Sequence, residues 1–252
     1  MKKSSPLIVG NWKAFINSPK EGLALLKKID IGLPRTMRST IVACPPALLV
    51  AHVRDKYRGK RIALGVQDIS LSARGPHTGE VTAELARSCG ATYAIVGHAE
   101  RRALGEDSSV IAREARAALD SRLTPIICVG EGARDREGHY YTTIETMLAE
   151  SMRLVLPHEL TRIVIAYEPV WAIGAAVAPD PRVVHESLLF IRKTLASLYG
   201  RDSALKVKII YGGAVDADTA RDLLVTGNAG GFLVGRASVD AHNFLGIIKA
   251  CH

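Results

Sequence analysis

The chain has 252 residues, of which 48% are hydrophobic and 23% are charged, and its formal net charge is +8. These values are ordinary for a globular protein and exclude a disordered or low-complexity chain. No segment approaches the ~20 apolar residues of a membrane span, and the few aromatic residues do not interleave with the scattered basic ones as a nucleic-acid platform requires. We therefore expect neither a membrane nor a nucleic-acid partner.

The cysteines and the amino terminus bear on the compartment. Cys44, Cys89, Cys128 and Cys251 form no CxxC pair and no zinc-like spacing with histidine, so reduced thiols in a cytoplasmic protein without a metal site fit best. The apolar stretch near the amino terminus ends after Val9 and is too short for the core of a signal peptide. The mild positive charge is suited to attracting small anions.

Short apolar runs recur eight times, and each is followed by a loop and a segment that can hold a helix. The strand candidates are residues 7–10, 40–43, 62–66, 93–96, 124–129, 162–167, 206–211 and 231–234. The clearest helical patterns are residues 21–29, 108–119, 142–156, 182–198, 217–225 and 243–250. This alternation predicts a parallel α/β sheet with right-handed crossovers.

Eight such units favour a closed (β/α)8 barrel formed by a single domain over residues 1–252. A doubly wound open sheet is the alternative. That fold usually carries a glycine-rich phosphate turn after its first strand, where this chain has Asn11, Trp12 and Lys13.

Polar side chains follow the first strand, and a long loop follows the third. Asn11 and Lys13 lie where the first strand opens into its loop, so Lys13 is expected at the mouth of the barrel, although a lone lysine there is more commonly a solvated charge. The third-strand loop contains Gly75, Thr78, Gly79 and Glu80. A loop of this size is usually functional, and an exposed surface loop is the alternative.

The fourth strand is followed by His98 and then by Glu100, Arg101 and Arg102. A histidine after a buried strand is more commonly packed or solvated than catalytic. Here a helical turn is expected to begin beside the ring. Its backbone dipoles would disfavour the imidazolium form and leave a neutral hydrogen-bond donor.

The sixth strand candidate ends in Glu168 and Pro169. The proline ends the ladder and holds Glu168 in extended backbone, at the carboxyl edge where parallel α/β proteins keep their chemistry. An apolar loop closed by small residues follows, which is the composition of a lid that folds over a site and expels water. We call residues 169–177 the lid; they are Pro169, Val170, Trp171, Ala172, Ile173, Gly174, Ala175, Ala176 and Val177.

Glycine is concentrated in the loops after the last two strands. The relevant residues are Gly212, Gly213 and Ala214 after the seventh strand, and Gly235 and Arg236 after the eighth. Backbone amides approach an anion closely only where no side chain intervenes, and barrels of this class build phosphate sites in these loops. With Gly174 of the lid adding a third amide, these loops predict a phosphate cradle.

Two strings resemble the triosephosphate isomerase family. AYEPVWAIG at residues 166–174 resembles its catalytic strand and lid, and GHAERR at 97–102 nearly matches its GHSERR. The resemblance spans residues 11–238. It implies a TIM barrel that interconverts D-glyceraldehyde 3-phosphate and dihydroxyacetone phosphate in glycolysis and gluconeogenesis, without metal or organic cofactor. Glu168 would be the carbon base, His98 the electrophile and Lys13 the group that neutralises the enediolate.

The resemblance also implies roles for neighbouring residues. Asn11 and Lys13 would hold the substrate, and Glu100 would hydrogen-bond the lysine or relay protons. The loop residue Thr78 would enter a pocket of a second subunit, giving a homodimer. Cys128, Gly130 and Glu131 match a stretch that supports the catalytic glutamate and histidine, and Arg101 and Arg102 are expected to form structural salt bridges.

The chain departs from the family pattern at several positions around the expected phosphate. Ala214 replaces a serine, Arg236 replaces a glycine, and residues 175–177 replace a hinge that contains a hydroxyl and a lysine. Ala14 and Phe15 also stand where the family has Met and Asn, and Ala99 stands where it has Ser. Our hypothesis is that Arg236 adds positive charge beside the phosphate and offsets the lost hydroxyl.

Two other functions are consistent with these residues. The altered phosphate loops allow an isomerase of a slightly larger sugar phosphate, such as a tetrulose phosphate. A catalytically silent barrel that binds a phosphorylated ligand is the second. Retention of a carbon base such as Glu168 argues against the silent barrel, because binding alone does not need one.

Overall fold

Eight parallel strands close into a barrel in the computed structural model, which describes residues 5–71, 74–175 and 177–252. They are β1 (Leu7–Asn11), β2 (Thr40–Cys44), β3 (Ile62–Val66), β4 (Tyr93–Val96), β5 (Thr124–Val129), β6 (Val164–Tyr167), β7 (Lys208–Tyr211) and β8 (Gly231–Val234). Each strand pairs with its neighbour in chain order, and β8 pairs with β1. The predicted closed barrel is therefore confirmed, and the open sheet is excluded.

Helices connect the strands along the described part of the chain. They are α1 (Pro19–Gly32), α2 (Ala47–Lys56), α3 (Ala83–Ser88), α4 (Ala99–Ala103), α5 (Ser108–Asp120), α6 (His139–Met152), α7 (Pro181–Tyr199), α8 (Arg201–Ala204), α9 (Ala217–Val225) and α10 (Ala241–Ala250). Three 3₁₀ helices span Pro157–Arg162, Val170–Ala172 and Arg236–Val239. None of the helices in the described ranges has the length and apolarity needed to cross a membrane.

Alternate residues of each strand belong to two different apolar clusters. One cluster comprises Leu7, Val9, Val42, Cys44, Ile95, Ile126, Cys128, Val164, Ala166, Ile210 and Leu233. The residues between them, such as Ile8 and Ile165, belong to the larger cluster that includes the helices. Because strand side chains alternate between faces, the first cluster fills the barrel interior and the second joins the barrel to its helical layer.

Side-chain caps explain where several helices begin. Ser18 accepts a hydrogen bond from Glu21 N, and Asp107 accepts from Ser109 N and Val110 N. Asp180 caps α7, whose first residue is a proline, and Asp216 forms a capping box with Thr219. Each cap pairs an amide at the helix start that has no partner within the helix.

Some predicted bounds were wrong. Strand β6 begins at Val164 rather than residue 162, because Pro157–Arg162 is a 3₁₀ helix. Strand β7 begins at Lys208 rather than 206, because helical turns still hold Lys206 N to Ser203 O and Val207 N to Ala204 O. Helices α2, α3, α4 and α8 were not among the clear patterns.

The helix predicted at residues 142–156 is α6, His139–Met152. It begins earlier because the Asp135 carboxylate accepts hydrogen bonds from His139 N at 2.8 Å and Tyr140 N at 3.2 Å. It ends earlier because the chain turns toward Pro157, with Val155 N donating to Met152 O. The assignment of residues 1–252 to a single domain stays a prediction.

Candidate active site

The carboxyl ends of the strands surround a cavity of about 470 Å³. Residues that the sequence singled out at the ends of five different strands line it together: Asn11, Lys13, His98, Glu168, Gly174, Gly213, Ala214, Gly235 and Arg236. Its remaining walls include Ile173, Val215 and Asn243. The cavity is large enough for a small phosphorylated molecule.

The strand geometry delivers Glu168 to this cavity. Val164 and Ala166 face the barrel interior, and Glu168 continues the same alternation one step beyond β6. Its backbone N–H still donates to Val129 O at 2.8 Å, so the side chain leaves a fixed point of the sheet. The carboxylate is 3% exposed, and Oε2 accepts a hydrogen bond from Ala99 N at 3.2 Å.

Gly212 makes room for this carboxylate. A Cβ atom at Gly212 would lie 2.7 Å from Glu168 Cγ, closer than unbonded carbon atoms approach. A Cβ at Gly130 would lie 2.0 Å from the Glu168 carbonyl oxygen. The two glycines are therefore required by the position of Glu168.

His98 lies beside Glu168 in the wall of the cavity. Its Nε2 lies 3.3 Å from Glu168 Oε1, and its Nδ1 accepts a hydrogen bond from Glu100 N at 3.1 Å. A ring nitrogen that accepts an N–H carries no proton, so the ring proton lies on Nε2. The first turn of α4 thus holds the imidazole as a neutral donor that points at the carboxylate.

Lys13 is held by contacts on three sides. Its Nζ lies 2.6 Å from Glu100 Oε1, and its backbone N–H donates to Asn11 Oδ1 at 3.0 Å. Gln67 Nε2 donates to Lys13 O at 2.9 Å, a contact that sequence reasoning missed although Gln67 directly follows β3. Burial alone would raise the pKa of Glu100, but hydrogen bonding and the charge of Lys13 outweigh it and lower that pKa.

The first half of the lid is attached to the sheet through Trp171. Residues Val170–Ala172 form a 3₁₀ turn, and Trp171 Nε1 donates to Glu131 Oε1 at 2.9 Å. Glu131 is 1% exposed, whereas Trp171 is 39% exposed. The Glu131 carboxylate binds Trp171, Tyr167 and Arg134, and its backbone C=O accepts from Val170 N at 3.0 Å, so it contacts the segment that follows Glu168; its support of Glu168 and His98 stays a prediction.

The second half of the lid is open to solvent. Gly174 has a φ of +71°, which strains any other residue, and both Gly174 and Ala175 are exposed. Val177 is exposed as well, and Ala176 lies outside the described residues. Ala214 N donates to Ala172 O at 3.0 Å, which joins the base of the lid to the loop after β7.

Arg236 begins the 3₁₀ helix after β8 and is exposed at the rim of the cavity. Its guanidinium carbon lies 5.9 Å from the centre of the Phe15 ring, within cation–π range. Arg236 and Phe15, which both differ from the family pattern, therefore contact each other. Gly235 brings this rim close to Lys13, since a Cβ there would lie 3.7 Å from Lys13 Cε.

Groups beneath the cavity support its floor. Cys128 is buried, and burial followed by the nearby Glu168 charge raises the pKa of its thiol well above the usual value, so it stays protonated. Arg102 donates to Gly97 O and Cys128 O at 3.0 Å rather than forming the expected salt bridge. Arg101 does form ion pairs, with Asp68 and Glu106.

The expected subunit-contact loop is exposed in the single chain. Gly75, Thr78, Gly79 and Glu80 all lie in contact with solvent, and Gly79 has a φ of +87°. Residues 72 and 73 lie outside the described ranges. The insertion of Thr78 into a second subunit stays a prediction.

The geometry combines three chemical capacities. A buried carboxylate can remove a proton, a neutral imidazole N–H can polarise a carbonyl, and an ammonium group can balance developing negative charge. All three lie in one cavity whose opposite wall is rich in glycine. The arrangement is suited to proton transfer beside the carbonyl of a small anionic substrate.

Comparison with known proteins gives a consistent result. A family model described as "Triosephosphate isomerase" matches residues 6–251. A relative of that name from Roseiflexus sp. (strain RS-1) is 39% identical over 246 residues, covering 97% of this chain and 96% of the relative. One from Bradyrhizobium diazoefficiens is 40% identical over 251 residues, covering 98% and 97%. The crystal structure of a triosephosphate isomerase from Bartonella henselae matches with a TM-score of 0.85 at 32% identity, covering 97% and 98%.

Proposed function

We infer that the chain, which belongs to the triosephosphate isomerase family, interconverts D-glyceraldehyde 3-phosphate and dihydroxyacetone phosphate in the cavity between Lys13, His98 and Glu168. The family consists of aldose–ketose isomerases of glycolysis and gluconeogenesis. The observation that carries the proposal is the 3.3 Å approach of His98 Nε2 to Glu168 Oε1 within the cavity that Lys13 also lines.

The proposed reaction moves one proton between neighbouring carbons. Glu168 removes the proton beside the substrate carbonyl, and the electron pair of the broken C–H bond forms the carbon–carbon double bond of an enediolate. His98 Nε2–H donates to the carbonyl oxygen, which takes up the charge. The former carbonyl oxygen then takes the Nε2 proton of His98, and the neighbouring hydroxyl gives its proton to Nε2, so that the hydroxyl oxygen can become the new carbonyl. Return of the proton from Glu168 to the other carbon completes the isomerisation.

In this mechanism Lys13 stabilises charge and Glu100 fixes Lys13. The ammonium group lies 2.6 Å from Glu100 Oε1, which sets its position at the edge of the cavity. Approach of a substrate anion adds a second negative partner for the ammonium. Asn11, which accepts from the Lys13 backbone N–H, holds the loop that carries the ammonium and contributes to substrate binding.

The phosphate is proposed to bind at the glycine-rich wall. Gly174, Gly213 and Gly235 allow backbone amides to approach the anion, and Arg236 adds a positive charge at the rim. In the described conformation the Ala214 amide is engaged by Ala172 O. Closure of the lid would bury Trp171 and Ile173. It would exclude water from the cavity and protect the enediolate from losing its phosphate.

We further propose a cytoplasmic homodimer that needs no metal or organic cofactor for this reaction and has no nucleic-acid or membrane partner. The exposed loop around Thr78 supports a subunit contact, since a protruding loop with an exposed Gly75 and Glu80 presents backbone and charge to a second copy. Sedimentation equilibrium at micromolar concentration measures this directly, and a monomer with full activity would contradict it.

An isomerase assay coupled to the oxidation or reduction of a nicotinamide cofactor tests the function. The purified chain should turn over both triose phosphates, and Glu168→Gln should reduce kcat by at least about a thousandfold, because the amide cannot accept the carbon proton. Glu137→Gln, at an exposed position, is the matched control and should retain full activity. A wild-type chain that turns over neither triose phosphate would contradict the proposal.

A further inference from the structure

A second group of carboxylates lies outside the active-site cavity. Asp68 follows β3, Glu106 precedes α5, and Glu114 lies within α5. One oxygen of each lies within 4.8 Å of one oxygen of each of the others. None of the three lines the cavity that contains Glu168.

Among the described residues, the Arg101 guanidinium pairs with this group, and half of the six carboxylate oxygens have no hydrogen-bond partner. Arg101 Nε lies 3.0 Å from Asp68 Oδ2 and 2.7 Å from Glu106 Oε1. The other oxygens, Asp68 Oδ1 and Glu106 Oε2, are buried and have no hydrogen-bond partner within the described ranges. Buried polar atoms are almost always paired, so each of these oxygens requires an explanation.

Glu114 is the strongest anomaly. The residue is 2% exposed, and its Oε2 is buried without a hydrogen-bond partner in the part of the chain that the structure describes. Its carboxylate is directed at those of Asp68 and Glu106 rather than at solvent.

When all three carboxylates are ionised, they and the Arg101 guanidinium carry a net charge of −3 + 1, or −2. Arg102 is the next cation, but its guanidinium donates to Gly97 O, Cys128 O and serine hydroxyls on another side. Like charges this close in a buried site repel strongly unless a counter-charge is present.

We propose that Asp68, Glu106 and Glu114 bind one hard divalent cation, such as Mg²⁺, Mn²⁺ or Ca²⁺, through one oxygen each. Metal–oxygen distances of about 2.0–2.6 Å place two ligands of one ion at most about 5 Å apart, which the 4.8 Å spread satisfies. The ion would supply the two missing positive charges. It would also pair the oxygens that have no partner.

The surroundings provide room for the rest of the coordination shell. A cavity of about 460 Å³ borders the three carboxylates and is also lined by His77, Thr78 and Glu80 of the exposed loop. Such cations commonly retain several water ligands, and this cavity can hold them. The ion would join α5 to the loop proposed to contact a second subunit, so it would act on stability and not on the chemical step.

Metal binding to the full-length chain, stripped with a chelator, tests this site. Mn²⁺ titration followed by electron paramagnetic resonance should give one bound ion per chain, and the melting temperature should rise with millimolar Mg²⁺, Mn²⁺ or Ca²⁺. Glu114→Gln should weaken Mn²⁺ binding at least about tenfold and abolish the rise, with kcat unchanged. Asp68→Asn is a second variant that should show the same loss if the first folds poorly.

The chain offers a matched control for surface charge. Asp135, Glu137 and His139 form another group with suitable spacing, but all three are exposed. Glu137→Gln should leave Mn²⁺ binding unchanged. A wild-type chain that binds no ion at millimolar concentration, or equal binding by wild type and Glu114→Gln, would overturn the assignment.

Discussion

Lys13 adopts a backbone conformation that few residues other than glycine tolerate. Its φ is +45°, which costs of the order of 1 kcal/mol for a side chain with a Cβ. Two hydrogen bonds hold it there: its backbone N–H donates to Asn11 Oδ1, and its C=O accepts from Gln67 Nε2. These contacts offset the strain. The backbone conformation directs the ammonium group into the cavity toward Glu100.

Arg236 places a positive charge at the phosphate wall where the family pattern has a glycine. Because its guanidinium is exposed, its attraction for a phosphate is worth about 1 kcal/mol rather than several. Arg236→Gly should therefore raise KM about fivefold with kcat within twofold of wild type. Steady-state kinetics at low and high salt measure this, and the difference in KM should shrink as salt screens the charge.

Two variants separate charge from packing at this rim. Arg236→Lys keeps the charge and should recover most of the lost affinity. Phe15→Leu removes the aromatic ring beneath the guanidinium, and KM should rise by less than in Arg236→Gly. An unchanged KM in Arg236→Gly would mean that the guanidinium does not reach the phosphate.

The lid is the element whose attachment decides how the cavity closes. Trp171 is connected to the buried carboxylate of Glu131, which in turn binds Tyr167 and Arg134. This network lies behind the first half of the lid, while Gly174 and Ala175 are exposed to solvent. The lid is thus fixed at one end and exposed at the other, as a segment that closes over a ligand requires.

Trp171→Phe tests the fixed end. The ring remains, but the hydrogen bond to Glu131 is lost, and a bond to a charged group is worth about 1.5–3 kcal/mol. We expect kcat/KM to fall about tenfold, because a less precisely attached lid closes less often on the substrate. The melting temperature should change by only a few degrees, and a larger drop with normal kinetics would show that Trp171 serves folding instead.

The elements that sequence predicted well are those whose signal is local. An apolar run marks a strand, so the strand ends, and with them Asn11, His98 and Glu168, could be located from spacing alone. Contacts between separate loops produce no recognisable pattern in the sequence. The link from Glu131 to Trp171, the role of Gln67 and the meeting of Asp68 with Glu114 became visible only in three dimensions. The sequence also did not show that β6 begins only at Val164, because a 3₁₀ helix precedes it and does not interrupt the apolar pattern.

At the scale of the whole molecule, barrel closure depends on the junction of β1 and β8. Gly231 has a φ of +144°, and a Cβ there would lie 1.9 Å from Leu7 O. No other residue can occupy this position while Leu7 pairs with Gly231. The closed ring is what brings the loop after β1, with Lys13, beside the loop after β8, with Arg236.

The outer layer is joined by a partly buried ion pair between α5 and the approach to β6. Arg116 donates to both oxygens of Glu159, at 2.6 and 2.8 Å, and Leu156 N donates to it at 3.0 Å. The Arg116 hydrogen bonds are the largest influence and lower the pKa of Glu159 to about 2. Because the pKa of Glu159 is lower in the folded than in the unfolded chain, the ionised carboxylate stabilises the folded state. This stabilisation is fully present above the unfolded-state pKa of about 4.3 and is lost as the pH falls through about 2.

Glu159→Gln should therefore destabilise the chain in a pH-dependent way. We expect a loss of about 1–2 kcal/mol in the free energy of unfolding at pH 7, because solvent screens the partly exposed Arg116 side of the pair, about half of that loss at pH 3, and little near pH 2. Urea unfolding at a fixed protein concentration measures the difference between wild type and variant. A difference that is independent of pH would show that the packing of residue 159 matters and its charge does not.

The central claim is that Glu168 moves the substrate proton in the cavity that the closed barrel creates. Its most direct test is the incorporation of deuterium at the substrate carbon in deuterated water, followed by proton magnetic resonance of the triose phosphates. We predict that the wild-type chain incorporates one deuteron per exchange event at the carbon beside the carbonyl and that Glu168→Gln shows none above the spontaneous rate. Exchange by Glu168→Gln at the wild-type rate, or its absence in the wild type, would contradict the account.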